Sequence, residues 1–210
     1  TVSVYKKPKI GIIITGNELA KPGNKLEYGK VFESNSIMLQ AALLNANFDT
    51  ISIYEVNDDL LNTKESIKKA LQENDVLLIS GGISVGDYDF VQDVIKDRLK
   101  AKVLFHGVLI KPGLHILIAL KDEKVIVALP GFAYSSTVTA ILYVLPLIFK
   151  FRKANQSLPI VKARINQDLK RTQDKTIFTA CNVEYKNGEY IIDFVGKKSG
   201  TSAILTNMLG

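Results

Sequence analysis

The chain has 210 residues, 47% of them hydrophobic and 23% charged, with a formal net charge of +6, one cysteine and two histidines. That length and composition can bury a core and exclude an intrinsically disordered chain, while a lone cysteine excludes an internal disulfide and a cysteine metal cluster. The charge is uneven: residues 1–150 carry 17 Lys and Arg against 16 Asp and Glu, and residues 151–210 carry 10 against 5. The basic part lacks aromatic-interleaved or zinc-finger patterning, so solvated lysines are expected and no nucleic-acid partner.

In chain order, Thr1 to Pro8 reads as a linker over residues 1–7. Lys9 to Ile14 is an apolar strand running into Thr15-Gly16-Asn17-Glu18-Leu19. Lys21 to Lys30 is loop. Glu33-Ser34-Asn35-Ser36 then supplies an N-cap to a helix whose Ile37, Leu39, Ala41, Leu43 and Leu44 are expected to cover a sheet. Capping and ligand contact are both open roles for Asn35 and Ser36. Thr50 to Val56 alternates as a strand and delivers Asn57-Asp58-Asp59, ahead of a helix over Leu60 to Glu73.

Asp75 to Phe90, reading DVLLISGGISVGDYDF, organises the rest. Four apolar residues from Val76 to Ile79 predict a buried parallel strand, and Ser80, Gly81, Gly82, Ser84 and Gly86 predict a loop at its carboxyl end, where open α/β sheets bind ligands. Glycines allow positive φ and close backbone approach, and successive N–H groups can face an anion. Asp87 and Asp89 can cap the next helix, Phe90 to Leu99, accept a bond from a polar ligand, or hold a divalent cation through water. The string is neither the dinucleotide fingerprint nor a P-loop.

Further strands are expected over Ala101 to Ile110, Leu114 to Leu120 and Lys124 to Leu129. The first is followed by Lys111-Pro112-Gly113, where a lysine suits a phosphate or oxyanion. The last ends in Pro130-Gly131, ahead of a helix over Tyr134 to Lys150. Ser135, Ser136 and Thr137 in its first turn make an anion seat or simple caps. The longest apolar stretch, Val138 to Phe151, is read as interrupted by Pro146, so no membrane span and a cytoplasmic location are expected. Both His106 and His115 lie in apolar, strand-like surroundings and are read as structural, with ligand contact the lesser alternative. Residues 151–159 read as linker, and Val161 to Ile165, Thr176 to Tyr185 and Glu189 to Val195 as strands, the last two joined by Lys186-Asn187-Gly188.

The string from Ser80 to Phe90, with Thr15 to Leu19, Asn35-Ser36, Asp58 and Lys111-Pro112-Gly113, resembles the C-terminal portion of the molybdopterin molybdotransferases, including the E domain of gephyrin. The resemblance implies a three-layer α/β/α domain with a mostly parallel sheet over residues 8–150, followed by a small β-barrel-like domain over 160–210. It implies insertion of molybdate into adenylylated molybdopterin with release of AMP, dependent on Mg²⁺. Glu18, Asp58, Asp89 and Lys111 would be catalytic, and Asp58 and Asp89 would hold the Mg²⁺. Thr15, Gly16, Asn35, Ser36, Ser80, Gly81, Gly82, Ser84, Gly86, Pro130, Gly131 and Ser135 would bind the pterin substrate. A homodimer and contact with the molybdopterin adenylyltransferase are implied partners. The chain departs from the family at Gly107 and Leu114, where basic residues are usual, and at His115, Phe132, Ala133, Ile177 and Ala180. A divergent non-catalytic paralogue and an adenylyltransferase are therefore the alternative readings.

Overall fold

The computed structural model describes residues 2–56, 60–82, 90–154, 158–166, 168 and 174–194. In chain order the elements are β1 (Ile10–Thr15), β2 (Leu19–Ala20), β3 (Val31–Phe32), α1 (Asn35–Asn45), β4 (Ile51–Val56), α2 (Leu60–Glu73) and β5 (Val76–Ser80). Then come α3 (Phe90–Asp93, running into a π turn at Val94–Arg98), β6 (Lys102–His106), β7 (Ile110–Lys111), β8 (Leu117–Lys121), β9 (Lys124–Leu129) and α4 (Ala133–Phe151, with a π turn at Ala140–Val144). Strands β10 (Ala163–Ile165), β11 (Thr176–Ile177), β12 (Asn182–Lys186) and β13 (Glu189–Asp193) follow.

The main sheet has the order β4-β1-β5-β9-β8-β6. Strands β4, β1, β5 and β9 are parallel, and only β8 runs against its neighbours. The expected mostly parallel α/β architecture is therefore present, with extra small sheets in the C-terminal region. Because both faces of the sheet are covered, its central strands are apolar throughout rather than alternating. In β1, Ile10, Ile12 and Ile14 face one core with Leu39 and Leu43 of α1 and Val144 and Ile148 of α4. Ile13, on the opposite face, joins Ile67 and Ala70 of α2 and Val94 and Ile95 of the π turn.

The chain leaves β1 through α1 to β4 on one side, then returns through α2 to β5 on the other. That reversal between β1 and β5 opens a crevice at the carboxyl ends of the strands, the usual ligand position of doubly wound sheets. The connections are secured at their far ends too. The Lys124 ammonium donates to the carbonyls of Leu71, Gln72 and Asn74, capping the carboxyl end of α2.

Several expectations need correction. Ile37 and Leu44 of α1 are 55% and 52% exposed, because the 3.6-residue period turns only Asn35, Ser36, Leu39 and Leu43 inward. The strand expected over Ala101 to Ile110 stops at His106, where Gly107 takes φ +82° and turns the chain aside into β7. Thr176 to Tyr185 is split as well. Its middle docks on α4, with the Tyr134 hydroxyl donating to Phe178 O (3.3 Å) and accepting from Ala180 N (2.9 Å), while β11 pairs with β7.

Pro146 does not interrupt its helix. It falls at the start of the α-helical segment that follows the π turn, where a missing N–H is tolerated. Ala133–Phe151 is thus long and apolar enough to cross a membrane by length and composition alone. One side of it, Ala140, Val144, Ile148 and Phe149, is buried in the core against the sheet. Among the described C-terminal residues, β10, β13 and β12 form a three-stranded sheet. The expected hairpin is present, Asn187 and Gly188 both having positive φ in a two-residue turn.

Candidate functional site

At the carboxyl ends of β1, β5 and β9 lies a cavity of about 720 Å³, within the ordinary range for small-molecule sites. The end of β1 and the residues after it contribute Thr15, Gly16 and Glu18, the end of β5 and the residues after it Ser80, Gly81 and Gly82, and the residues after β9 Pro130 and Gly131. Glu33, Ser34 and Asn35 line it from the start of α1, and Phe132, Ala133 and Ser135 from the start of α4. Val31 and Phe32 of β3 form a side wall, and His115 enters from the loop ahead of β8.

The strand ends are held together by close backbone approach. Gly81 has φ +102°, and a Cβ there would stand 2.3 Å from the carbonyl oxygen of Thr15. Only glycine allows the β1 and β5 tips to lie this near. Asn35 ties in the third tip. Its buried amide nitrogen donates to Ser80 Oγ and to the carbonyl of Gly131, both at 2.7 Å. A carbonyl only accepts, so Gly131 fixes which way the amide points. The amide oxygen of Asn35 is buried with no hydrogen-bond partner among the described residues.

Two helices begin at this cavity, and their unpaired amides give each start partial positive charge. In α1 that charge is already opposed. Glu33 accepts from Ser36 N at 2.8 Å and from Ser36 Oγ at 2.5 Å, so within the expected cap string the bond is made by Glu33 and not by Ser34 at the N-cap position. In α4 the first turn has no acidic residue. Its Thr137 hydroxyl is turned back onto Ala133 O (2.9 Å), leaving Ser135 as the first-turn hydroxyl that lines the cavity.

Of the residues expected to bind substrate, Thr15, Gly16, Asn35, Ser80, Gly81, Gly82, Pro130, Gly131 and Ser135 line this one cavity, together with the expected catalytic Glu18. The Glu18 carboxylate folds back over Gly16, where a Cβ would meet both its oxygens at 3.0 Å. Ser36 is not in this lining. It faces a neighbouring pocket of about 500 Å³ with Lys21, Glu55 and Ile37, and its hydroxyl is bonded to Glu33, which borders both. Lys111 is absent from the lining too, since the turn at Gly107 carries β7 away to pair with β11 and leaves the lysine exposed. Asp58, Ser84, Gly86 and Asp89 lie outside the described residues, among which no group of three or more potential metal ligands occurs.

The lining also includes residues that the sequence does not single out for substrate, among them Glu33, which reads as part of a cap string, Phe132, and His115, which reads as structural with ligand contact the lesser alternative. Phe132 adjoins the selected Gly131, and that position is its signal. The charged or chargeable lining residues, among those described, are Glu18, Glu33 and His115, with no lysine or arginine. Electrostatics link the two histidines: burial, then Lys96, then His115 hold the His106 imidazole below its ordinary pKa.

The profile of the family described as "Probable molybdopterin binding domain" matches residues 11–150, which span the sheet and every strand end that lines the cavity. The chain belongs to this family. The chain is 33% identical over 202 residues to a molybdopterin molybdenumtransferase of Staphylococcus epidermidis, covering 95% of this chain and 48% of that protein. It is 33% identical over 189 residues to the molybdenum cofactor synthesis protein cinnamon of Drosophila melanogaster, covering 89% of this chain and 31% of that protein. In structure it resembles the molybdopterin biosynthesis MoeA protein of Pyrococcus horikoshii, with a TM-score of 0.72 and 27% identity over 95% of this chain and 48% of that one. The chain spans about half the length, or less, of these relatives.

Proposed function

We propose that the chain is the pterin-binding part of a molybdopterin molybdotransferase, acting in molybdenum cofactor biosynthesis by inserting molybdate into adenylylated molybdopterin with release of AMP. One observation carries this reading: three glycine-bearing strand ends and two helix starts converge on a single cavity of about 720 Å³. Such a site recognises a phosphate-bearing small molecule mainly through backbone N–H groups.

Within it the start of α4 is the better phosphate seat, since Glu33 already occupies that of α1. Ser135 would donate its hydroxyl there, with the Gly81-Gly82 backbone opposite. Glu18 would accept hydrogen bonds from the ligand's N–H or O–H groups and fix its orientation. Phe32 and Phe132, 46% and 45% exposed in the lining, offer flat apolar surface to a conjugated ring. Catalysis would then be positioning and charge compensation, with no covalent nucleophile.

A lining with few carboxylates and no lysine or arginine among the described residues fits a Mg²⁺ carried largely on substrate phosphates. Asp58 and Asp89 would hold it, directly or through water, and when bound it would offset phosphate charge. The same shortage of cations favours a second reading, a paralogue that binds the pterin without turnover. Both are tested by incubating the protein at its natural length with adenylylated molybdopterin, Mg²⁺ and molybdate. Molybdate-dependent AMP release that falls in Ser135→Ala and Asp89→Ala supports the transferase. Binding without AMP release supports the paralogue, and neither binding nor release rejects both.

A further inference from the structure

We propose that His115 is a ligand-binding residue, the cation that holds an oxyanion of the phosphate-bearing ligand in the cavity. This rests on the functional reading above and adds a residue and a pH dependence to it. His115 is half-buried and lines the cavity with Ser135, Gly131 and Glu18. Its backbone is fixed on both sides, because Leu114 O accepts from Val108 N at 3.0 Å and Ile116 O accepts from Gly107 N at 2.8 Å. Ile116 is fully buried in the core, which anchors the segment beside His115, and the histidine itself is half-buried at the cavity wall.

An anionic ligand needs charge compensation, and the other described lining residues offer backbone N–H groups and hydroxyls but no side-chain cation. Glu18 and Glu33 both repel it. Segments 57–59 and 83–89, which follow β4 and β5 in sequence, contain acidic residues and no lysine, arginine or histidine. His115 is thus the described lining residue able to carry positive charge. Imidazole gains its proton between pH 8 and 5, a range in which carboxylates stay ionised. The neighbouring cationic groups are Lys96 of the π turn and His106 of β6, and both Lys96 and His115 act on the His106 imidazole. Ligand affinity should consequently rise as pH falls.

The test measures binding of adenylylated molybdopterin at pH 6 and pH 8 to the wild type, His115→Gln and His115→Lys. Melting temperatures confirm that each variant folds. The ligand's own ionisation is common to all three and cancels in their ratios. The expected result is roughly ten-fold weaker binding by His115→Gln than by wild type at pH 6, the scale of one lost charge-assisted hydrogen bond. The gap should narrow at pH 8, and His115→Lys should bind tightly at both. Equal affinities of wild type and His115→Gln at both pH values would overturn the proposal. A wild type that binds no pterin ligand would instead reject the functional reading. The anion role is then decided with inorganic phosphate, followed through the single histidine of His106→Gln by NMR. Phosphate-dependent movement of that ring's resonances supports the role, and no movement overturns it.

Discussion

Asn35 is the residue whose removal should disturb the cavity most without touching its walls' backbone. Its amide nitrogen makes two bonds of 2.7 Å, one to Ser80 Oγ and one to Gly131 O, joining the ends of β5 and β9 to the start of α1. Each such bond contributes about 0.5–1.5 kcal/mol net. Ser80 is 2% exposed, so its loss should approach the upper figure, whereas the carbonyl of the exposed Gly131 can turn to water. Removing the unpartnered amide oxygen gives a little back. Asn35→Ala should therefore cost about 1–2.5 kcal/mol, which for a chain of this size lowers the melting temperature by roughly 3–8 °C. Asn35→Asp, of the same size, should cost more, since it sets an acceptor against Gly131 O. Protonation would relieve that contact, raising the folded-state pKa of the introduced acid. Its stability should thus be lost as pH rises, and the deficit relative to Asn35→Ala should widen from pH 5 to pH 8. Thermal melting of both variants across that range is the assay. An Asn35→Asp protein as stable as wild type at pH 8 would refute the reasoning.

Other expectations follow from single contacts. Gly81→Ala, forced to φ +102° with its Cβ 2.3 Å from Thr15 O, should lose about 1–3 kcal/mol in urea unfolding. Gly131→Ala meets nothing closer than 3.6 Å at Gly81 Cα and should stay within about 0.5 kcal/mol of wild type. Equal losses would show that backbone approach does not set the β1–β5 crevice. Lys124→Met removes the cap on three carbonyls at the end of α2 and should cost about 1–2 kcal/mol by the same measurement. Burial, with Lys96 and His115, depresses the His106 pKa. A histidine depressed in the folded state withdraws stability as pH falls through its unfolded pKa, about 6.5. His106→Gln should therefore flatten the stability profile between pH 7 and 5, and an unchanged slope would contradict that assignment.

How far the site could be read from sequence depended on what each residue's neighbours were. Leu60–Glu73 and Lys124–Leu129 match their expected bounds because an amphipathic period and an apolar run each fix an element without outside help. The glycine-bearing strand ends were legible for the same reason, and Thr15, Gly16, Ser80, Gly81 and Gly131 line one cavity. Lys111 lies outside the cavity lining because its place depends on Gly107, whose φ of +82° diverts the strand, and on pairing with β11, some 65 residues later. Ser36 borders the neighbouring pocket, its hydroxyl held by the carboxylate three residues back. His115 looked structural in a local apolar context. Its place in the cavity lining depends on the bonds of Leu114 and Ile116 to the chain at 107–108, which no local pattern shows.

The most direct test of the account is a crystal structure of this chain with adenylylated molybdopterin. The ligand should lie in the cavity between Gly81-Gly82 and Gly131, with a phosphate group on the first turn of α4 beside Ser135. A ligand seated instead in the neighbouring pocket of Lys21 and Glu55, or an empty cavity at saturating ligand, would contradict it.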